Sequence, residues 1–246
     1  MTPAAVQPRL SSLQSNALVI GIAGVALSVI GLFADARQFF ISYLVGWLFW
    51  LGLTLGCLGL LMIHHLTGGR WGFVLRRPFE AAAMTLPLMT LLFIPICFGL
   101  HRLYQWKDPQ AVAANHAMQH RSVYMNTPAF IIRAAVFFGF WILVVVLLNK
   151  WSFQQDSTTS AEPTRKLRTL SGPGIVLYPV LATFVLVDWV LSLEPDWFST
   201  MFLVLIVIGQ MLTAITFGIM LLAWLHGSEP LSGVVSSVQF YHLGML

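Results

Sequence analysis

Three of the nine acidic residues of this chain lie close together in the stretch VDWVLSLEPDWFSTMF, residues 187–202. Asp188 stands inside an apolar run, and Glu194 and Asp196 follow it within the same stretch. An ionised carboxylate inside a bilayer costs on the order of 2.5–3.5 kcal/mol unless it is paired or hydrated. The stretch therefore predicts either an ion pair between two helices or a protonatable group in a hydrated pocket.

Arg133 is the basic residue best placed to meet Asp188. Asp188 lies about four residues before the end of one apolar run, roughly 6 Å at 1.5 Å per residue, and Arg133 lies a similar distance after the start of another. If both ends lie on the same side of the membrane, a short ion pair can form between them. Two interpretations stay open: the pair locks two helices together, or Asp188 exchanges protons with a hydrated pocket.

Polar residues in the last apolar run can extend such a pocket into the membrane. Gln210 and Thr213 stand on one side of a helix, where they either hold helices together by hydrogen bonds or line a hydrated path. A path would run from Glu194 and Asp196 past Asp188 and stop at Gln210, which makes a proton half-channel and no more. The candidate proton-path residues are Asp188, Glu194, Asp196, Arg133, Gln210 and Thr213.

The same hairpin also has a purely structural interpretation. Glu194 precedes Pro195, a position that disfavours helix and ends the fifth apolar run. The candidates to cap the next helix are Asp196, Ser199 and Thr200. Trp189 and Trp197 suit the membrane interface. In this interpretation the hairpin carboxylates end and anchor helices and move no protons.

The histidines and cysteines form no recognisable metal or haem motif. Bis-histidine haem needs imidazoles at matched depth on facing helices, whereas His64, His65 and His101 stand at the ends of apolar runs. His116 and His120 can share a helix face, but no third ligand is near them in the sequence. The cysteines form neither a CxxC nor a CxxCH motif. We therefore predict no metal site in this chain.

Composition places the chain in a membrane. Hydrophobic residues make up 58% and charged residues 9% of the sequence, and mean hydropathy is +0.82, whereas soluble domains carry about 25% charged residues. A helix needs about 20 apolar residues to cross a bilayer. Suitable runs lie around residues 16–34, 40–63, 80–100, 129–149, 172–193 and 199–225. The predicted fold is all-α, a polytopic membrane helical bundle with six transmembrane helices.

The basic residues predict the orientation of these helices. The N-terminal segment and the connections 64–79 and 150–171 together hold eight Lys and Arg, against four in the connections on the other side. The positive-inside rule then places the N-terminus in the cytoplasm. The formal charge of +4 reflects this bias, so nucleic acid is not an expected ligand. The letters FADA after the first run resemble a signal-peptidase site, but a run of about 19 residues exceeds the usual signal and predicts a helix.

Glycine and proline predict where the helices begin, end and bend. The predicted boundaries are Gly68 and Gly69 after the second span, Pro78 and Glu80 before the third, and Gly172 and Pro173 before the fifth. The segment 153–170 is predicted to be a loop. Pro87 and Pro95 are predicted to kink the third span and Pro179 the fifth, freeing carbonyls that neighbours or water must satisfy.

A stripe of small residues follows one side of the second span. Gly52, Gly56 and Gly59 recur at helical spacing. Such a stripe lets another helix approach closely. It predicts helix packing and not a binding site.

Several ordered stretches add a family resemblance. They are FISYLVGWLFWLGLTLGCLGLLMIHHLTGGRWG, RRPFEAAAMTLPLM, LNKWSFQQD, LSGPGIVLY and VDWVLSLEPDWFSTMF. Together they make residues 35–246 resemble the F-type membrane subunit of alternative complex III, the bacterial quinol:cytochrome c oxidoreductase, which is related to polysulfide-reductase-like membrane subunits. The resemblance implies a location in the bacterial inner membrane, and partner subunits that carry quinol, iron-sulfur clusters and c-type haem.

The resemblance implies a subunit without its own redox centre or catalytic residue, beside the quinol-oxidising C-type subunit. That sister subunit has a glycine-histidine pair where this chain has Gly56 and Cys57, which favours a scaffold or proton half-channel over quinol chemistry. Quinol binding by this chain and independent transport remain the alternatives.

Family members also continue for several more spans, so the chain is predicted to be short of the full family length. Its single domain, residues 1–246, is predicted to hold a first helix, one four-helix bundle and the start of a second bundle. Besides the other subunits of the complex, the bilayer is its expected partner.

Overall fold

The computed structural model describes residues 6–197, 199–225 and 243–245. Within these ranges every regular element is helical. The segments long and apolar enough to cross a membrane are Ser11–Ala34, Ala36–Thr67, Trp71–Phe98, Thr127–Ser157, Glu162–Leu193 and Phe202–Leu225. The prediction of an all-α membrane protein with six spans is confirmed. The cytoplasmic position of the N-terminus stays a prediction.

The helices of the described ranges vary from one turn to the full thickness of a membrane. They are α1 (Val6–Ala34), α2 (Ala36–Thr67), α3 (Arg70–Ala83), α4 (Leu86–Leu91), α5 (Ile94–Phe98), α6 (Leu100–Leu103), α7 (Pro109–Ala114), α8 (His116–Arg121), α9 (Thr127–Ser157), α10 (Glu162–Trp189) and α11 (Phe202–Leu225). Two short 3-10 turns accompany them at Gln105–Lys107 and Leu191–Leu193. The third span is thus divided among α3, α4 and α5.

The long helices extend beyond the apolar runs that predicted them. α10 begins at Glu162 and not at Gly172, so the predicted loop 153–170 is wrong, because α9 and α10 occupy most of it. Likewise α3 begins at Arg70, which places Pro78 inside the helix and not at its start. Hydropathy marks where lipid begins, whereas helical hydrogen bonds continue into the polar layer beyond the hydrocarbon core.

The end of α2 is the predicted one. The helix stops at Thr67, and Gly68 and Gly69 follow with φ of 70° and 99°. Both angles lie in the left-handed region that glycine enters at little cost. The Gly68 N–H donates to the His64 carbonyl at 2.8 Å, which satisfies a carbonyl of the last turn. These glycines therefore reverse the chain between α2 and α3.

α2 is the central helix of the bundle. It packs against α3, α10 and α11, while α9 packs against α10 and α4. Every residue from Leu51 to Met62 is buried. Gly56 lies directly against the backbone carbonyl of Gln210 on α11. This is the close helix approach that the glycine stripe predicted. The division of the chain into two bundles stays a prediction.

The third span is broken where its prolines lie. The breaks separate α3, α4 and α5, with Pro87 and Pro95 in the first turns that follow. Side chains of α2 satisfy two carbonyls of the broken span: the Trp47 indole donates to Met89 at 2.9 Å, and the Tyr43 hydroxyl donates to Leu92 at 2.7 Å. The predicted need for neighbouring donors is therefore met by α2. The fifth span differs, since α10 continues through its prolines.

The spans alternate in direction, which gives the bundle two distinct ends. We call the end that holds residues 104–126, 190–197 and 199–201 the hairpin end. The opposite end, which holds residues 64–77 and 150–168, is the basic end. Hydrogen bonds within each end hold its segments together, as from Tyr104 to the Trp189 carbonyl and from Arg76 to Gln155. Asp188 belongs to the hairpin end.

Candidate functional site

A bidentate ion pair between Arg133 and Asp188 joins α9 and α10 at the hairpin end. The Arg133 Nε lies 2.6 Å from Asp188 Oδ2, and Arg133 Nη2 lies 2.9 Å from Oδ1. Asp188 is 2% exposed. A guanidinium and a carboxylate that meet through two parallel hydrogen bonds form one of the strongest polar contacts in proteins. The structure thus brings together Arg133 and Asp188, the two residues that the sequence predicts to lie at similar depths in the membrane.

Tyr124 completes the surroundings of the pair from the connection that precedes α9. Its backbone carbonyl accepts a hydrogen bond from Arg133 Nη1 at 2.9 Å, and the guanidinium carbon lies 3.8 Å from the centre of its ring. These contacts give the third guanidinium nitrogen, Nη1, a hydrogen-bond acceptor and cover the face of the guanidinium. The Tyr124 hydroxyl is buried beside Asp188. Burial and the negative charge of Asp188 raise the pKa of Tyr124 to about 12.

This arrangement makes the ionisation of Tyr124 a reporter of the Asp188 charge. We expect Asp188→Asn to lower the pKa of Tyr124 towards its ordinary value of 10.0, because phenolate no longer meets a carboxylate and Arg133 still favours the anion. The measurement is a phenolate absorbance titration from which the curve of Tyr124→Phe is subtracted. An unchanged Tyr124 pKa in Asp188→Asn would show that the carboxylate does not act on the ring.

A polar cover lies over the ion pair. The Tyr104 hydroxyl donates to the Trp189 carbonyl at 3.1 Å, and burial raises the pKa of Tyr104. Arg121 Nη1 donates to the Pro195 carbonyl at 2.6 Å. Residues 104–126 are thereby tied to the hairpin, so the segment between α6 and α9 closes the hairpin end above Asp188.

The three hairpin carboxylates occupy different surroundings. Only Asp188 is buried. Asp196 is exposed and accepts a hydrogen bond from Asn115 Nδ2 at 3.1 Å, so it helps to hold the cover. Glu194 is exposed and its side chain makes no hydrogen bond or ion pair with the described residues. α11 begins at Phe202, several residues after Asp196. The structure therefore does not assemble the three carboxylates into one cluster.

A cavity of about 280 Å³ opens between α9 and α10 beside the ion pair. Arg133, Asp188 and Trp189 contribute to its lining, and the other lining residues are apolar apart from backbone. Both helices belong to membrane spans. A molecule dissolved in the bilayer could thus approach the ion pair from the side, along a wall made by Phe137 and Phe184.

Gln210 and Thr213 lie in a separate place, between α2 and α11. The Tyr178 hydroxyl donates to Gln210 Oε1 at 2.6 Å, while Thr213 Oγ1 donates to the Gly209 carbonyl of its own helix at 2.7 Å. Both residues line a cleft of about 360 Å³.

The apolar side chains of Phe137 and Val185 line both this cleft and the ion-pair cavity. No hydrogen bond among the described residues connects Asp188 to Gln210. The Tyr178 hydrogen bond makes Gln210 a link between α10 and α11. A hydrated path through Gln210 stays a prediction.

The structure reveals a second buried carboxylate, Glu80, at the basic end. Glu80 is 2% exposed and lies 2.5 Å from Arg77 Nη1 and 3.8 Å from Arg76, and it accepts a hydrogen bond from Ser152. Asp156 pairs with both arginines. From the sequence alone, Glu80 is expected near the start of the third span. The signal that could have placed it in a network is the spacing of Arg76, Arg77 and Glu80 on one helix face.

No protein-family model matches the chain, and no curated protein matches it.

The resemblance to alternative complex III subunits accordingly stays a prediction from the motifs. As for metals, residues 6–197, 199–225 and 243–245 contain no group of three or more His, Cys, Asp or Glu side chains arranged to hold an ion. Cys57 and Cys97 are free thiols. The ion pair and the Glu80 network are therefore the chemically distinctive features of the described chain.

Proposed function

We propose that this chain is an integral membrane subunit of a respiratory quinol:electron-acceptor oxidoreductase of the alternative complex III type. In this proposal it carries no redox centre and supports the quinol-oxidising C-type subunit in a bacterial inner membrane. Iron-sulfur clusters and c-type haem belong to other subunits. The ordered motifs between residues 35 and 202 support the assignment, and the six membrane spans agree with it.

The ion pair gives the proposed subunit a protonatable site near one membrane face. The observation that carries this part is the burial of Asp188 against Arg133, at 2% exposure and with two hydrogen bonds. Ionisable side chains within membrane spans are rare, and those that occur often belong to proton routes. We place the half-channel between Asp188 and the solvent at the hairpin end. We assign Gln210 and Thr213 to helix packing, because apolar Phe137 and Val185 lie between them and Asp188.

Copurification tests the assignment to a complex. Extraction in mild detergent should yield this chain together with polypeptides that carry haem and iron-sulfur clusters. Elution of the chain alone, with activity retained, would instead favour an independent transporter. This result is separate from any result on protons, since a scaffold subunit copurifies whether or not it conducts them.

Substitution of Asp188 tests the half-channel within the assembled complex. We expect Asp188→Asn to leave electron transfer from quinol largely unchanged and to reduce coupled proton release by about tenfold or more, because an amide cannot exchange a proton at this site. The matched control is Asp108→Asn, an exposed position at the same end where asparagine preserves the helix cap. Equal proton release in both variants would leave a scaffold without a half-channel.

Quinol binding by this chain is the second candidate, and the cavity beside the ion pair favours it. A volume of about 280 Å³ that opens within the membrane spans can accept a ring-sized group, with Asp188 and Arg133 as polar partners. A complex depleted of the C-type subunit should then still bind a quinol analogue, and Arg133→Met should abolish that binding. Loss of all binding with the C-type subunit removed would reject this candidate.

A further inference from the structure

The basic end of the bundle carries positive charge that its own acids do not neutralise. Arg76 and Arg77 are paired with Glu80 and Asp156. Lys166 is paired with Glu162 at 2.6 Å. The described residues offer no acidic partner to the remaining cations whose side chains are described at this end, which are Lys150, Arg165 and Arg168. All three are exposed.

One of these unpaired cations lines a cavity between α9 and α10. The cavity measures about 470 Å³ and is distinct from the ion-pair cavity, which lies at the other end of the same two helices. Its lining consists of Trp151, Glu162, Arg165, Lys166, Thr169 and Leu170. The α10 residues among them recur at spacings of three and four, so they share one face of the helix. Two cations and one carboxylate leave this lining with a net positive charge.

The cavity lies where α10 passes from headgroups into hydrocarbon. The span Glu162–Leu193 has 32 residues, which gives about 48 Å at 1.5 Å per residue, whereas the hydrocarbon core is about 30 Å thick. No charged residue occurs between Arg168 and Asp188. The apolar part of α10 therefore begins beside Thr169, so Arg165 and Lys166 lie at headgroup depth and Leu170 lies at the start of the acyl layer.

We propose that this cavity binds an anionic phospholipid. The phosphodiester contacts Arg165, whose guanidinium presents a planar fork of donors that matches phosphate oxygens, and Lys166. The Thr169 hydroxyl is placed to donate to a glycerol or phosphate oxygen. Trp151 is half-buried, and its indole, with Leu170, flanks the first part of an acyl chain, as interfacial tryptophans do.

The surrounding charge selects an anionic over a zwitterionic headgroup. Arg168 follows Arg165 by one turn and has no acidic partner among the described residues, so a choline or ethanolamine cation would meet net positive charge here. An acidic headgroup meets no such repulsion, and basic clusters at span ends attract anionic lipids by this mechanism. The apolar side of the cavity distinguishes a lipid from free phosphate, because phosphate has no apolar group that could pack against Trp151 or Leu170.

Lipid retention measured by native mass spectrometry tests the proposal. The protein is exchanged into mixed micelles with equimolar phosphatidylglycerol and phosphatidylcholine, and bound lipids are counted. Wild type should retain phosphatidylglycerol in preference. Arg165→Gln should reduce this preference roughly fivefold and Arg165→Gln with Lys166→Gln further. The matched control, Arg37→Gln, removes an equal charge from an exposed position at the hairpin end and should change nothing.

Each of the other results would overturn the proposal. Equal retention of the two lipids by wild type would remove the anionic preference, and an Arg165→Gln variant that retains phosphatidylglycerol like wild type would remove the site. Displacement of the lipid by millimolar glycerol 3-phosphate would identify a site for soluble phosphate and not for a lipid. Arg165 and Lys166 are exposed, so these variants keep the packed core intact, and an unchanged melting temperature verifies this.

Discussion

Replacing Arg133 with methionine is expected to lower the free energy of unfolding by about 3–5 kcal/mol. The substitution leaves the Asp188 carboxylate, 3% exposed in its side chain, without its two hydrogen bonds and without a counter-charge. Tyr124 supplies no replacement charge, and its carbonyl loses the Arg133 donor. The measurement is unfolding by a denaturing detergent in mixed micelles, followed by tryptophan fluorescence.

The two partners of this pair should not be equivalent. Arg133 retains 22% exposure of its side chain, whereas Asp188 retains 3%. A long side chain at the end of a span can turn its charge towards water, which a short aspartate cannot do. Asp188→Leu should therefore cost less than Arg133→Met, about 1–3 kcal/mol. The order of the two losses reports which charge is the more deeply buried.

The double variant, Arg133→Met with Asp188→Leu, provides the decisive comparison. Buried ion pairs replaced by apolar residues of similar volume often keep or gain stability. The double variant should thus recover most of the loss seen in Arg133→Met alone, which makes the coupling between the two sites large. If Arg133→Met costs less than 1 kcal/mol, the carboxylate is hydrated or protonated and the pair contributes little to stability.

The pairing of Arg133 with Asp188 was predictable because it depends on depth alone. Arg133 lies near the start of its apolar run and Asp188 near the end of its own, and antiparallel helices place such positions at one level of the membrane. Depth does not specify which way a residue faces around its helix. The sequence thus predicts a path from Asp188 to Gln210 without predicting that Gln210 accepts a hydrogen bond from Tyr178 of α10.

Glu80 shows how an error in a helix boundary hides a buried group. With the helix start placed at Pro78, Glu80 falls in the first turn, where a carboxylate is favoured by the helix dipole and can reach water. α3 in fact runs from Arg70 to Ala83, so Glu80 lies in its last turn and opposite Ser152 of α9. No hydropathy pattern reports that long-range partner. Its burial follows only from how α3 and α9 pack.

Replacing Gly56 with alanine is the second substitution with a large expected effect. A Cβ at this position would overlap the backbone carbonyl of Gln210, and it would also lie 3.1 Å from the Cβ of Ala214. Neither obstacle is a flexible side chain, so α11 as a whole must move away from α2. We expect a loss of about 1–3 kcal/mol in the free energy of unfolding, typical of an overpacked interior.

Gly46 supplies the matched control on the same helix. A Cβ there meets nothing within 4 Å, so Gly46→Ala should leave stability unchanged or raise it by up to about 1 kcal/mol through helix propensity. The same propensity gain applies to Gly56→Ala and partly offsets its loss. The difference between the two variants in a detergent unfolding titration therefore isolates the helix contact.

Tyr178 shows whether α11 has moved. Its hydroxyl, on α10, donates to Gln210 of α11 at 2.6 Å. If Gly56→Ala separates the helices, this hydrogen bond is lost, and the further substitution Tyr178→Phe should cost nothing in that background although it costs stability in wild type. Equal costs of Tyr178→Phe in both backgrounds would mean that α11 keeps its position, and that the glycine stripe does not set the distance between the two helices.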